Sequence, residues 1–173
     1  MAGTPMNKWQ RILKHRWYDD ADARRMLGTQ GLAALQARVA ASEQHHSGEI
    51  RICIEAGLPM SYLWRGATPR ERALSVFGKL RVWDTDANNG VLIYLLLAEH
   101  AIEIVADRGL ARQVDDAQWR AIVSPMAEAF RAGRFGEGLE QAVDAVDALL
   151  QRHFPLAPGQ VNPNELSDAP HWR

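Results

Sequence analysis

The chain has 173 residues, which is the length of one ordinary domain and enough to bury a single hydrophobic core without a metal or disulfide staple. Its 20 basic residues nearly balance its 21 acidic ones, so the chain has no excess of positive charge that would attract nucleic acid. The longest apolar run, residues 91–98, is much shorter than the roughly 20 residues of a membrane-spanning helix. We therefore expect a soluble single domain with no transmembrane segment and no nucleic-acid partner.

The start of the chain and its cysteine content indicate a compartment. Residues 1–17 carry several basic side chains and lack the apolar core that a secretory signal needs. Cys53 is the only cysteine, so it has no intrachain partner. We expect a cytoplasmic protein in which Cys53 is a buried small apolar side chain.

Residues 7–17 are typical of a short amphipathic helix. Basic side chains occupy much of its surface, and four apolar ones lie near one another at helical spacing: Trp9, Ile12, Leu13 and Trp17. Such a helix either packs on the domain or contacts a membrane surface or a protein partner. Because glycines at positions 28 and 31 interrupt the next segment, residues 1–28 are interpreted as an N-terminal amphipathic arm.

The following patterns predict a helix, a strand and a long loop. Apolar residues repeat at helical spacing from Leu32 to Val39, and we expect this helix to end near residues 47–48. Residues 49–55 alternate strictly, which predicts a first strand with its isoleucines on one face. Residues 57–69 show no period and predict a long loop.

The second half of the chain predicts the rest of the domain. Residues 91–98 are apolar on both faces, as in a central strand, and a short connection to residues 101–106 forces antiparallel pairing. Two amphipathic helices follow, joined by a hinge over residues 133–138. We expect an α/β domain over residues 29–153, with a small mixed sheet of at least three strands between helices, and a proline-rich, extended tail without regular structure over residues 154–173.

An oxygen-rich loop precedes the central strand. Asp84, Asp86 and Asn88 alternate as at the start of a calcium loop. The EF-hand pattern then fails, because Asn89 and Leu95 replace its glycine and its bidentate acid. The cluster is either a site for Ca²⁺ or Mg²⁺ or an Asx-rich turn at the entry of the strand.

Asp107 and Arg108 follow residues 101–106 directly. Antiparallel pairing should place Asp107 beside the loop that contains Asp84, Asp86 and Asn88, which predicts one joint metal site. The alternative is that Asp107 caps the next helix or pairs with Arg108.

Other chemistry has weaker support. His45, His46 and Glu49 do not have zinc-protease spacing, so solvated histidines at a helix end are favoured over metal ligands. The chain lacks the motifs of nucleotide-binding, dinucleotide-binding, serine-hydrolase and thioredoxin-type proteins. We therefore expect no nucleotide cofactor.

The central part of the chain resembles the TPM-domain family. The resemblance rests on residues 88–93, Asn-Asn-Gly-Val-Leu-Ile, and residues 102–109, Ile-Glu-Ile-Val-Ala-Asp-Arg-Gly, within residues 29–152. That family includes thylakoid-lumen proteins linked to photosystem repair and many bacterial proteins, and this chain looks like a cytosolic bacterial branch. The resemblance implies a small mixed sheet between helices, calcium binding as in some members and an acid phosphatase activity as in a plant member.

Two functions follow as expectations. In the favoured one, the domain is a non-catalytic module that binds a divalent cation and contacts an unidentified protein partner through residues 57–69 or the chain ends. In the alternative, a cation held by the three loop residues and Asp107 polarises a phosphate ester, and Arg108 stabilises the developing charge. The sequence offers no evident nucleophile or general base for this reaction.

Overall fold

The structure is a computed structural model that describes residues 7–173, apart from the side chains of Asp20 and Ala23. Residues 1–6 of the predicted arm lie outside the described residues. The helices are α1 (Lys8–Trp17), α2 (Asp20–Ser42), α3 (Met60–Trp64), α4 (Pro69–Lys79), α5 (Arg108–Ala111), α6 (Asp116–Arg131) and α7 (Phe135–His153). The strands are β1 (Glu49–Glu55), β2 (Gly90–Leu96), β3 (Ala101–Ala106) and β4 (His171–Trp172).

The four strands form one mixed sheet in the order β3-β2-β1-β4. β1 runs parallel to β2 and to β4, whereas β2 and β3 pair antiparallel, with Val91 opposite Ala106. β2 is buried along its whole length, as its apolar sequence predicts. The predicted mixed sheet and its hairpin are therefore confirmed, although β2 ends at Leu96 and a 3₁₀ turn over Leu97–Glu99 leads into β3.

Helices cover both faces of the sheet, and the central strand β2 is apolar on both of them. The isoleucines of β1 lie on one face with α2, α6 and α7. Cys53 and Tyr94 lie on the other face, against α1, α3 and α4. Cys53 is fully buried, and burial raises the pKa of its thiol to about 12. The expected α/β layering between helices is confirmed.

Local signals set several helix ends. Thr68 caps α4 with Glu71 in a reciprocal capping box, and Pro69 occupies the first turn, as the sequence indicates. α2 contains a kink at Gly28, whose φ of 68° interrupts the helix where the arm was predicted to end. None of the described helices has the length and apolarity of a membrane span.

Three boundary predictions are wrong. The predicted loop at residues 57–69 contains helix α3. This helix is too short to show a helical repeat of apolar residues, but the buried side chain of Leu63 packs it onto the domain. α2 ends at Ser42, short of residues 47–48, because the chain turns there to enter β1. α7 begins at Phe135, inside the predicted hinge.

The tail forms regular structure at its end, contrary to prediction. β4 pairs with Cys53 and Ile54 of β1 and adds the fourth strand. The guanidinium of Arg51 donates hydrogen bonds to the carbonyl oxygens of Ser167 and Ala169, and these contacts hold the tail along the sheet edge. Backbone pairing does not depend on an apolar pattern, so the sequence carried no signal for this strand.

Candidate functional site

The loop before β2 and the segment after β3 meet at one end of the sheet, which we call the loop junction (residues 84–90 and 107–109). The backbone N–H of Asp107 donates to the carbonyl oxygen of Gly90 at 2.8 Å. The backbone N–H of Gly109 donates to the carbonyl oxygen of Asn88, also at 2.8 Å. A Cβ atom at position 109 would lie 2.4 Å from the Asn88 carbonyl oxygen, so this approach requires glycine. The predicted proximity of Asp107 to the loop follows from the antiparallel register.

Asp107 uses its two carboxylate oxygens differently. Oδ1 accepts a hydrogen bond from the backbone N–H of Arg108 at 2.7 Å and caps α5. Oδ2 is buried and has no hydrogen-bond partner among the described residues. The side chain as a whole is only 7% exposed. A carboxylate oxygen in this setting needs a proton, water or cation to offset its desolvation.

Asn89 supplies a second buried oxygen at the loop junction. Its backbone N–H donates to Thr85 Oγ1 at 3.1 Å, and its Nδ2 donates to Ser47 Oγ at 3.2 Å. Its Oδ1 accepts no hydrogen bond from the part of the chain that the structure describes. The sequence does not single out Asn89 as a ligand, because Asn-Gly before a strand also reads as an ordinary turn.

Two of the three predicted loop ligands, Asp84 and Asn88, have side-chain partners. Asp84 is exposed and lies 2.6 Å from the guanidinium of Arg81. Asp86 is also exposed, and its backbone N–H contacts the Glu165 carboxylate at 3.4 Å. The Oδ1 atom of Asn88 accepts a hydrogen bond from Arg108 Nε at 3.1 Å.

The carboxylates of Asp84, Asp86 and Asp107 therefore do not form a coordination site in this structure. Within residues 7–173, no three histidine, cysteine, aspartate or glutamate side chains have the arrangement of a metal site. The ligand roles of Asp84, Asp86 and Asn88 stay predictions. At the loop junction, the buried oxygens without a hydrogen-bond partner belong to Asp107 and Asn89.

Comparison with known proteins identifies the family of this chain. The sequence model of the TPM domain matches residues 21–149, which is most of the chain. The chain belongs to the TPM-domain family. No match is found among the curated proteins.

Solved structures share the fold of this TPM domain. The NMR structure of BA42 protein from the psychrophilic bacterium Bizionia argentinensis sp. nov. is 25% identical, with a TM-score of 0.73 over 84% of this chain and 94% of that one. The N-terminal domain of a protein from P. gingivalis, also solved by NMR, is 21% identical, with a TM-score of 0.59 over 76% of this chain and 83% of that one. The second likeness shows the fold alone.

The histidine pair of this TPM domain does not behave as predicted. His45 is exposed, but His46 is fully buried, so the expectation of two solvated histidines is wrong for His46. Its Nδ1 lies 3.0 Å from the Gly48 carbonyl oxygen, and its Nε2 lies 3.3 Å from Asp147 of α7. Burial lowers the pKa of His46, so the imidazole is neutral near pH 7.

Three carboxyl groups lie near one another where the tail crosses β1. Glu43 and Glu49 are buried, and Asp168 belongs to the tail. Burial, with the nearby charges of Glu49 and Asp168, raises the pKa of Glu43 to about 8. Burial also raises the pKa of Glu49, whose Oε2 accepts a hydrogen bond from the backbone N–H of Leu166 at 3.1 Å. Positions 43, 49 and 168 are too far apart in sequence for a local pattern to join them.

A buried ion pair lies on the other face of the sheet. Arg72 of α4 donates to both carboxylate oxygens of Glu55, at 2.9 Å from Nε and 2.5 Å from Nη2. The hydroxyl of Tyr94 donates to Glu55 Oε2 at 2.6 Å. Both oxygens of Glu55 are thus satisfied, which indicates that this network joins α4 to the sheet rather than waiting for a ligand.

Proposed function

We propose that this TPM domain is a non-catalytic interaction module that binds a divalent cation, Ca²⁺ or Mg²⁺, at the loop junction. The observation that supports the proposal is the pair of buried oxygens without partners, Asp107 Oδ2 and Asn89 Oδ1. A carboxylate oxygen and an amide oxygen are hard ligands of the kind that both cations take. The chain would hold the cation through these two side chains, with water as further ligands.

The surrounding charges also suit a cation. Asp84 and Asp86 are exposed on the same loop and add negative charge without contacting the buried oxygens. Their contribution is long-range and screened by salt, so it should strengthen binding less than Asp107 does. Asp107 is therefore the ligand on which binding depends.

The contacts at the loop junction favour a module over an enzyme. The polar side chains that contact Asn89 are the hydroxyls of Thr85 and Ser47, and neither is paired with a histidine or a carboxylate among the described hydrogen bonds. A hydroxyl nucleophile needs an adjacent base to be activated. Cation binding would then stabilise the two loops against each other rather than drive turnover.

The alternative function is a metal-dependent phosphatase. It is favoured by Arg108, whose guanidinium is exposed next to Asp107 and uses only Nε to contact Asn88. Its remaining N–H groups could bind a phosphate ester beside a cation held by Asp107.

Isothermal calorimetry with Ca²⁺ and with Mg²⁺ tests the module. Asp107→Asn keeps an oxygen to cap α5 but removes the charge, and we expect it to weaken cation binding at least about tenfold. Asp84→Asn is the matched control, because this exposed carboxylate pairs with Arg81, and its effect should stay within about twofold. Absence of saturable binding at millimolar cation, or equal losses in the two variants, would contradict the proposed site.

A hydrolysis assay separates the two functions. The module predicts no turnover of p-nitrophenyl phosphate above background, with or without EDTA. Turnover that EDTA abolishes, and that falls in both Asp107→Asn and Arg108→Ala, would instead establish the phosphatase.

A further inference from the structure

Helix α1 is fixed to the domain through one of its faces. Ile12 and His15 are buried in the folded domain. The Glu99 carboxylate lies 2.7 Å from the Arg11 guanidinium and 2.8 Å from His15 Nε2. The backbone N–H of Leu58 donates to His15 Nδ1 at 2.9 Å. These contacts settle which side of α1 faces the protein.

The opposite face of α1 presents large apolar side chains to solvent. Trp9, Leu13 and Trp17 are 62%, 59% and 82% exposed. They are spaced four residues apart, so they form one stripe along the helix. Trp64 of α3 is 52% exposed and packs edge-on against Trp9, with ring centroids 5.8 Å apart. We call these four residues the tryptophan patch.

Basic side chains border the tryptophan patch. Lys8, Lys14 and Arg16 are exposed on α1, and Lys8 Nζ lies 4.7 Å from the centre of the Trp64 ring. None of the three forms an ion pair with the side chains that the structure describes. Residues 1–18 contain no aspartate or glutamate, whereas the whole chain has a net charge of −1. Lys8, Lys14 and Arg16 thus make the surface around the patch locally cationic on a nearly neutral molecule, while Asp22, which lines one hollow with Trp17, is paired with Arg25.

We propose that the tryptophan patch docks on the surface of an anionic phospholipid membrane, with α1 lying in the plane of the interface. Tryptophan favours the headgroup region of a membrane. There the apolar part of its ring contacts the lipid chains, and its N–H stays hydrated. The flanking lysines and arginine complement the negative surface potential of anionic lipids. Because Ile12 and His15 hold the other face of α1, the helix need not leave the domain to bind.

Charge also argues against a second copy as the occupant. A symmetric dimer through this face would bring Lys8, Lys14 and Arg16 of both copies together, and like charges disfavour such a contact. The inference does not rest on cation binding at the loop junction, since none of its residues belongs to that site.

Sedimentation with vesicles tests the inference in the presence of EDTA, which removes divalent cations that bridge protein and lipid. The full chain should bind vesicles of phosphatidylcholine with phosphatidylglycerol and should bind pure phosphatidylcholine at least about tenfold more weakly. Trp9→Gln/Trp17→Gln should abolish most binding, because both side chains are exposed and their loss spares the core. Trp83→Gln, which changes an exposed tryptophan outside the patch, is the matched control.

A charge pair of variants completes the test. Lys14→Gln/Arg16→Gln should lower affinity for the anionic vesicles at least about tenfold, whereas Arg120→Gln/Arg131→Gln on α6 should leave it nearly unchanged. The inference is overturned if the wild type does not bind anionic vesicles, or if the patch and control variants bind equally. It is also overturned if the wild type is a dimer that the patch variant converts to a monomer, with no vesicle binding by either.

Discussion

A buried polar atom without a partner costs free energy, and this cost makes Asp107 and Asn89 informative as single residues. Each has one satisfied polar atom and one oxygen without a partner among the described residues. By contrast, both oxygens of Glu55 are engaged by Arg72 and Tyr94. The difference supports the proposed cation site at the loop junction and indicates that the Glu55 network contributes to stability.

The Glu55 network leads to a prediction at this scale. Arg72→Met leaves the Glu55 carboxylate buried without its counter-charge and should lower the free energy of unfolding by about 3–5 kcal/mol. The double variant Arg72→Met/Glu55→Met removes both charges and should recover much of that loss. Urea unfolding followed by circular dichroism measures both.

The half-exposed Arg70 provides the control for this experiment. It lies 3.6 Å from Glu103, and Arg70→Met should cost less than about 1 kcal/mol. Equal losses of unfolding free energy in Arg70→Met and Arg72→Met would show that burial does not determine how much the Glu55–Arg72 pair stabilises the protein.

At the scale of elements, helices α6 and α7 approach closely at one glycine. A Cβ atom at Gly138 would lie 2.4 Å from Cε2 of Phe130, a fully buried ring that cannot move aside without disturbing the core. Gly136 also lies in α7, but a Cβ atom there would meet nothing within 4 Å. The two glycines thus separate a packing requirement from helix propensity.

Alanine at these two positions should have opposite effects. Gly138→Ala should destabilise the protein by about 1–3 kcal/mol, because it overpacks the helix contact. Gly136→Ala should be neutral or stabilising by up to about 1 kcal/mol, because alanine favours the helix. Thermal unfolding compares them, and a stabilised Gly138→Ala variant would contradict the close packing of α6 on α7.

For the whole molecule, the tail joins the carboxyl-terminal part of the chain to residues 43–55, which are distant from it in sequence. β4 completes the sheet, and Glu49 accepts a hydrogen bond from Leu166 next to Glu43 and Asp168. Protons bound at this junction therefore contribute to global stability.

The raised pKa of Glu43 predicts the direction of this pH dependence. The folded protein keeps the Glu43 proton up to about pH 8, whereas the unfolded chain loses it near its ordinary value of 4.5. The stability from this proton is fully present below pH 4.5 and is lost as the pH rises through about 8. Glu43→Gln cannot ionise, so it should gain stability relative to wild type by a few kcal/mol between these limits.

Urea unfolding at pH 5 and pH 8.5 measures this relative change. The neighbouring His46, whose pKa is lowered, opposes the trend in both proteins and cancels in the comparison. A constant difference between variant and wild type at the two pH values would contradict the buried, protonated state of Glu43.

The sequence by itself determined the parts of this protein that short-range patterns encode. The alternation of Ile50, Ile52 and Ile54, the apolar run of β2 and the short connection to β3 specify the sheet's centre, because side-chain period and connection length are local properties. The register of that hairpin also placed Asp107 beside the loop before β2.

Only the tertiary structure decided which polar groups are buried and which of them lack partners. Helix α7 covers His46 from a hundred residues away, and the tail reaches β1 from the far end of the chain. Neither contact can be predicted from local sequence, because the burial of a residue depends on which distant segments pack against it. The same reason explains Asn89, which is typical of a turn in the sequence but is fully buried, with its Nδ2 donating to Ser47 of a segment far along the chain.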